Sequence, residues 1–298
     1  MNKVGIVYHP KLEAAHRLAE DLRAVAEREV PQVWVGDAWD ERATHDHSPG
    51  TDLLVCVGGD GTVLRGARAT VPHEPLLLGV NMGRLGFLTE LDPEGALARL
   101  PDILKGEGRI ESRAMLRVQA RTAAREAHLH ALNDAVVGRA SLGHTVHLSV
   151  AVDGATIADL RADGLIVATA TGSSAYSLSA GGPILHPESK HLLLTPLAPH
   201  MAARNSMVLP PDAKVTVRLA DGPLASLSVD GEANLELAQG DEAQVALSPH
   251  VARFIRLGDP GDYLQHIALR LGWLRPAAGT EAEASGSRYA PALWGSAV

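Results

Sequence analysis

Apolar residues along this chain change their period near residue 110, and that change calls for two kinds of folding unit. Before it, short apolar runs alternate with longer helical patterns, as a parallel sheet covered by helices requires. "VGIVY" at residues 4–8 reads as a strand. From Lys11 to Glu29, Leu12, Ala15, Leu18, Ala19, Leu22, Val25 and Ala26 recur at helical spacing. "QVWVG", "DLLVCVGG" and "PLLLGVN" supply further strands, and the continuous apolar run of the second suits burial on both faces. A helix is expected to begin near Thr62, and residues 92–106 read as a helical segment split in two by Pro101.

Beyond that point the pattern alternates. Val146, Leu148, Val150 and Val152 share one side of a strand, and Asp153-Gly154 is a favoured hairpin turn. "AKVTVRLADG", "PLASLSVDG" and the run from "EAQVALSPH" into "RFIRL" repeat the arrangement. The expected fold is therefore an α/β domain, Rossmann-like, over 1–107 and an antiparallel β-sandwich domain over 108–260. A last helix over 261–274, with Asp262 as its N-cap, is expected to pack back on the first domain. The tail, 275–298, is rich in Ala, Gly, Ser and Pro and reads as a disordered extension.

Composition narrows the partners. A net charge of -8 argues against broad binding to nucleic acid, because phosphate backbones need a surplus of Lys and Arg. Anionic ligands then require local sites. No apolar stretch approaches the roughly 20 residues of a membrane span, and "MNKVGIVYHP" lacks the regions of a secretion signal, so a cytoplasmic protein with no membrane partner is expected. The single cysteine, Cys56, lies in an apolar run and reads as a small buried hydrophobe. Aromatic residues make up only 3%, which leaves the core to Leu, Val, Ile and Ala.

Three stretches could carry chemistry. "VGGDGTVLRGAR" follows a buried strand and opens a helix, placing Gly58, Gly59, Gly61 and Thr62 at the carboxyl end of a parallel sheet, where such sheets bind ligands. Glycine amides and a helix N-terminus favour phosphate, with Thr62 as a helix cap. Neither a Walker A loop nor GxGxxG is present. Asp60 is out of place in a pure phosphate cradle, because a carboxylate repels phosphates. It either supplies a turn hydrogen bond or takes a proton from an attacking hydroxyl. "DGLIVATATGSSAYSLSAGGPILHP", residues 163–187, offers hydroxyls, amides and Tyr176 to a polar ligand, or forms a plain loop. Asn133 and Asp134 in "LNDAVVGR" could read a base edge or a ribose, or simply shape a bulge. The His pairs in "HDH" (45–47) and "HLH" (128–130) lack an evident third ligand and read as solvated, and no protein metal site is expected.

Together these stretches resemble the NAD kinase family. "GGDGTVLRGAR" is similar to the family's GGDGT motif, "GVNMGRLGFLTEL" (79–91) to its second segment, and residues 163–187 to its long glycine-rich block. The resemblance covers roughly residues 4–273 in the family's order, and the three motifs together are far more specific than GGDGT alone. It implies an enzyme that uses ATP and Mg²⁺, or another divalent cation, to phosphorylate the adenosine 2'-hydroxyl of NAD, giving NADP. Asp60 would be the proton acceptor and, with Gly61, part of the NAD site. Arg65 falls where the family has a basic residue. Asn133 and Asp134 match a pair contacting the adenosine, Arg161 and Asp163 a pair beside the dinucleotide, and Ser174, Ala175, Tyr176, Ser177, Leu178 and Ser179 a segment enclosing it. His144 and Ala198 match by position only. Asp134 stands for the usual Glu, Ser174 for Thr and Glu232 for Gln. The resemblance further implies a homodimer or homotetramer, because a neighbouring subunit completes the family's dinucleotide site. A lipid kinase would share GGDGT but lacks the other two blocks. A non-catalytic NADP-binding regulator would have no need of Asp60.

Overall fold

The described residues of the computed structural model are 1–274 without 84–85, 142, 201–204, 223 and 272. The expected disordered tail, 275–298, lies outside them. The first unit runs β1 (Lys3–Tyr8), α1 (Glu13–Ala26), β2 (Gln32–Asp37), α2 (Glu41–His47), β3 (Leu53–Gly58), α3 (Asp60–Ala69), β4 (Leu76–Asn81) and α4 (Pro93–Leu104). Its four strands are parallel in the order β2-β1-β3-β4. Every residue of β3 is buried, as its apolar run required. One face of the sheet packs Ile6, Leu53 and Val55 against Leu18 and Leu22 of α1 and Leu100 and Ile103 of α4. The other packs Val7, Leu54 and Cys56 against Val63 and Ala67 of α3. Burial pushes the Cys56 thiol up to about 12, so it stays a neutral packing group.

The second unit contributes β5 (Arg109–Arg121), β6 (Glu126–Ala131), β7 (Asp134–Arg139), β8 (Val146–Val152), β9 (Ala155–Ala162) and β10 (Gly164–Ala168). After the short helix α5 (Tyr176–Ser179) come β11 (Leu192–Leu197), β12 (Met207–Leu209), β13 (Val215–Asp221), β14 (Ala225–Val229), β15 (Ala233–Leu237), β16 (Glu242–Arg256) and α6 (Asp262–Arg270). One sheet, β12-β11-β10-β7-β14-β15, faces strands β5, β8, β13 and β16 of the other. Leu116, Leu148, Val150 and Val245 meet Leu165, Val167, Leu192 and Leu227 between them.

The two units share a sheet. β16 pairs antiparallel with β5 along its length, with a bulge between Leu247 and Val251, and its end pairs parallel with β4 at Arg253–Leu76 and Phe254–Leu77. The parallel sheet thus continues into the sandwich without an edge at β4.

Four expectations are corrected. Residues 93–104 form one helix despite Pro101, because Pro101 falls in its last turns while Leu100, Ile103 and Leu104 stay buried on the core. α3 starts at Asp60 with Gly59 as its N-cap, so Thr62 lies in the first turn and caps nothing. Gly261, not Asp262, is the N-cap of α6, and the Asp262 carboxylate instead accepts from the Asp259 N–H at 2.8 Å. β13 and β14 do not form a hairpin. They belong to different sheets, and the chain crosses between layers at Asp221-Gly222.

Candidate active site

The β3–α3 turn places Asp60 at the carboxyl end of the parallel sheet, in the first turn of a ten-residue helix. Its carboxylate is gripped by the loop that follows β4. Oδ2 accepts the Phe87 N–H at 2.9 Å and Oδ1 accepts the Leu88 N–H at 3.0 Å. Gly86 makes the grip possible, because a Cβ there would overlap the carboxylate. A carboxylate offers about four lone-pair sites, so two remain to take a proton. Among the described residues no side-chain cation pairs with Asp60. The Thr62 hydroxyl beside it is buried with no partner among the described residues.

Farther along α3, Arg65 and Arg68 face the β14–β15 hairpin. Arg65 pairs with Glu232 and lies 3.3 Å from Glu41, its guanidinium 4.4 Å over the Trp39 ring. Arg68 bonds Glu41 at 2.6 Å and Asp230 at 3.4 Å. Glu41, Arg65, Arg68 and Glu232 line a cavity of about 380 Å³ together with His128 and His130.

Asp230 ties this cluster to the next. Its side chain is fully buried, and its carboxylate accepts the N–H groups of Leu132, Asn133 and Asp134 at 2.9, 2.8 and 3.1 Å. The Asn133–Asp134 turn is therefore shaped by a carboxylate almost a hundred residues later in the chain. Burial, and secondarily the Asp230 charge, push the Asp134 carboxyl up to about 7. Burial also raises Asp230, opposed by Arg68 and the three N–H donors.

The other side of the same turn carries the serine-rich block. The Asn133 carbonyl accepts the Thr169 N–H at 2.9 Å, and the Leu132 carbonyl accepts the Thr169 hydroxyl at 2.6 Å. Gly172 sits so close that a Cβ would overlap the Asn133 backbone. Ser174 bonds back to the Thr171 carbonyl at 3.1 Å, leaving Ala175, Tyr176, Leu178 and Ser179 partly or fully exposed along α5. Ser177 faces inward, its buried hydroxyl 2.9 Å from that of Thr195.

One continuous set thus holds Gly58 to Thr62, Arg65, Glu232, Asn133, Asp134 and residues 174–179. The remaining residues gather elsewhere. β10 pairs Ala168 with Asp134 at one end and Gly164 with Gly138 at the other. Asp163, in an ion pair with Arg139 at 3.2 Å, lies beyond that second end, where its N–H meets the Leu197 carbonyl next to exposed Ala198. Arg161 is exposed on β9, and His144 is exposed just before β8, whose Val146 pairs with Ala162. Four residues of strand at roughly 3.3 Å each put this group about 13 Å from the first.

Sequence reasoning missed Asp230, Arg68 and Arg139. Arg68 could have been found three residues after Arg65, on the same helix face. Asp230 in "VDG" reads only as a hairpin turn, and no local signal marks its three long-range bonds. Among the described residues no group of three His, Cys, Asp or Glu converges as metal ligands would.

Comparison with known proteins supplies the context for this geometry. Residues 4–108 match the ATP-NAD kinase N-terminal domain, and residues 132–257 the ATP-NAD kinase C-terminal domain. An NAD kinase of Dehalococcoides mccartyi is 38% identical over 257 residues, covering 86% of this chain and 90% of that protein. One from Chloroflexus aurantiacus is 37% identical over 273 residues, covering 91% and 99%. Among solved structures, yeast NADH kinase complexed with NADH matches with a TM-score of 0.80 at 25% identity, covering 94% of this chain and 90% of that one. An NAD kinase from Archaeoglobus fulgidus in complex with ATP matches with a TM-score of 0.73 at 26% identity, covering 92% and 100%.

Proposed function

The chain belongs to the ATP-NAD kinase family and phosphorylates NAD, and from that premise we propose that Asp60 is the base of the reaction. Asp60 draws the proton from the adenosine 2'-hydroxyl as that oxygen attacks the γ-phosphorus of ATP. The new O–P bond forms as the bond to the β-phosphate oxygen breaks, and ADP leaves. The observation that carries this reading is the grip on Asp60. Two backbone N–H groups hold the carboxylate at the mouth of the glycine loop, with lone pairs to spare and no cation among the described residues to occupy them.

The other residues take roles that follow from their placement. The amides around Gly58, Gly59 and Gly61 and the N-terminus of α3 favour the phosphates. Asn133, Asp134 and the segment 174–179 enclose the adenosine of NAD. Arg65 supplies positive charge, tempered by Glu232. Mg²⁺ arrives with ATP as part of that substrate, held by phosphate oxygens and water, which asks few ligands of the protein. We further propose that His144, Arg161, Asp163 and Ala198 complete the site of a neighbouring copy in a homodimer or homotetramer. Their gathering at the opposite end of β10 supports that division.

The test is direct. The purified full chain, given ATP, Mg²⁺ and NAD, is expected to produce NADP that an NADP-specific dehydrogenase detects. Asp60→Asn, nearly isosteric but unable to take the proton, is expected to lose several orders of magnitude in kcat while NAD binding persists. Near-normal turnover in that variant would remove Asp60 from the role.

A further inference from the structure

The grip on Asp60 is itself held from behind, and the holder is Arg256, the last residue of β16. Its guanidinium is buried, with 7% of the side chain exposed, and reaches the same loop that clamps Asp60. Nη1 donates to the Leu88 carbonyl at 3.4 Å and to Glu90 Oε2 at 3.0 Å. Leu88 is therefore fixed from both sides, since its N–H bonds Asp60 and its carbonyl faces Arg256. Glu90 is anchored a second time, because its Oε1 accepts the Leu257 N–H at 2.6 Å and the Gly258 N–H at 3.3 Å.

Arg256 is in turn held in place. Its Nε donates to Glu111 Oε1 at 3.2 Å, and Glu111 also accepts from Arg113 Nε at 2.8 Å. Both guanidinium groups lie 5.0 Å from the centre of the Phe254 ring, one on each of two contacts. Two buried arginines so close together are costly unless their carboxylate partners compensate. Stability alone would be served as well by apolar packing. What the charged arrangement adds is a fixed direction for the 86–90 loop.

We infer that Arg256 is a positioning residue for phosphoryl transfer, which acts by holding the Leu88–Glu90 segment so that Phe87 and Leu88 present their N–H groups to Asp60. The inference rests on the reading of Asp60 as base. Arg256 touches neither NAD nor ATP in that reading, so its loss acts on the geometry of the reacting centre rather than on substrate affinity. Displacement of a reacting group by about 1 Å can cost on the order of 100-fold in rate.

The experiment measures kcat, both KM values and the stoichiometry of NAD binding in Arg256→Lys, beside Asp60→Asn. Lys keeps the charge but cannot span Leu88, Glu90 and Glu111 at once. The expected result is a fall in kcat of roughly 30- to 100-fold, with KM values within about threefold and one NAD bound per chain as in the parent. A role confined to stability would instead reduce NAD stoichiometry in step with activity, and that result overturns the inference. Should Arg256→Lys fail to fold, Glu90→Gln, which cuts the loop-side ion pair and leaves the Arg256–Glu111 pair in place, carries the same expectation. A kcat within twofold of the parent in the folded variant overturns it as well. The two readings fail separately: an active Asp60→Asn removes the base, whereas a dead Asp60→Asn beside a fully active Arg256→Lys removes only the positioning role.

Discussion

Asp134 and Asp230 place two carboxyl groups next to each other inside the protein, and they are not equivalent. Asp230 has three N–H donors and Arg68, whereas Asp134 has burial and a negative neighbour, so Asp134 holds its proton to about 7. In the unfolded chain the same group ionises near its ordinary value of 3.8. The folded state therefore binds the extra proton between these values, and stability falls as pH rises through that window, then levels off. Asp134→Asn removes the ionisation. Its gain in melting temperature over the parent is expected to be small near pH 4, to grow to about pH 7 and to stay constant above it. A gain that is flat with pH would show that Asp134 ionises normally in the fold. The Asn-Asp pair itself was legible from residue types and from the resemblance. Its burial beside Asp230 was not, because that depends on a hairpin almost a hundred residues away.

At the scale of elements, periodicity was a good guide wherever one face of an element is buried. The β8–β9 hairpin turns at Asp153-Gly154 as its sequence asks, and α1 buries five of its seven periodic apolar residues, Ala15, Leu18, Ala19, Leu22 and Ala26, with Val25 half-buried and Leu12 exposed at the N-cap. Failures came where tertiary packing outvoted a local signal. Pro101 removes the N–H that would bond Leu97, yet α4 continues because its apolar face is already seated on the sheet. Pro101→Ala restores that bond and is expected to raise the unfolding free energy by about 1 to 2 kcal/mol, read from the urea midpoint. An unchanged or lower midpoint would mean that the ring's own packing outweighs the missing bond. The pairing of β13 and β14 was hidden for another reason: alternation tells which face of a strand is buried, but not in which of two sheets it lies.

For the molecule as a whole, the division of the proposed NAD site between the two ends of β10 can be tested by mixing. Asp60→Asn and Asp163→Ala, each inactive alone, are expected to recover about a quarter of the parent activity when co-expressed as a randomly assorted dimer, because half the dimers are mixed and one of their two sites is intact. No recovery, with mixed dimers demonstrated, would assign both ends of β10 to one subunit's site. The strand that joins the units has a different bearing. Because β16 enters the parallel sheet beside β4, severing the chain near residue 108 would not release two self-sufficient halves. It would leave β4 with a row of unpaired backbone groups on an apolar strand, an invitation to aggregate. The glycine-loop unit and the sandwich are thus a single inheritance. Separating them would strip β4 of the strand that closes its side of the parallel sheet.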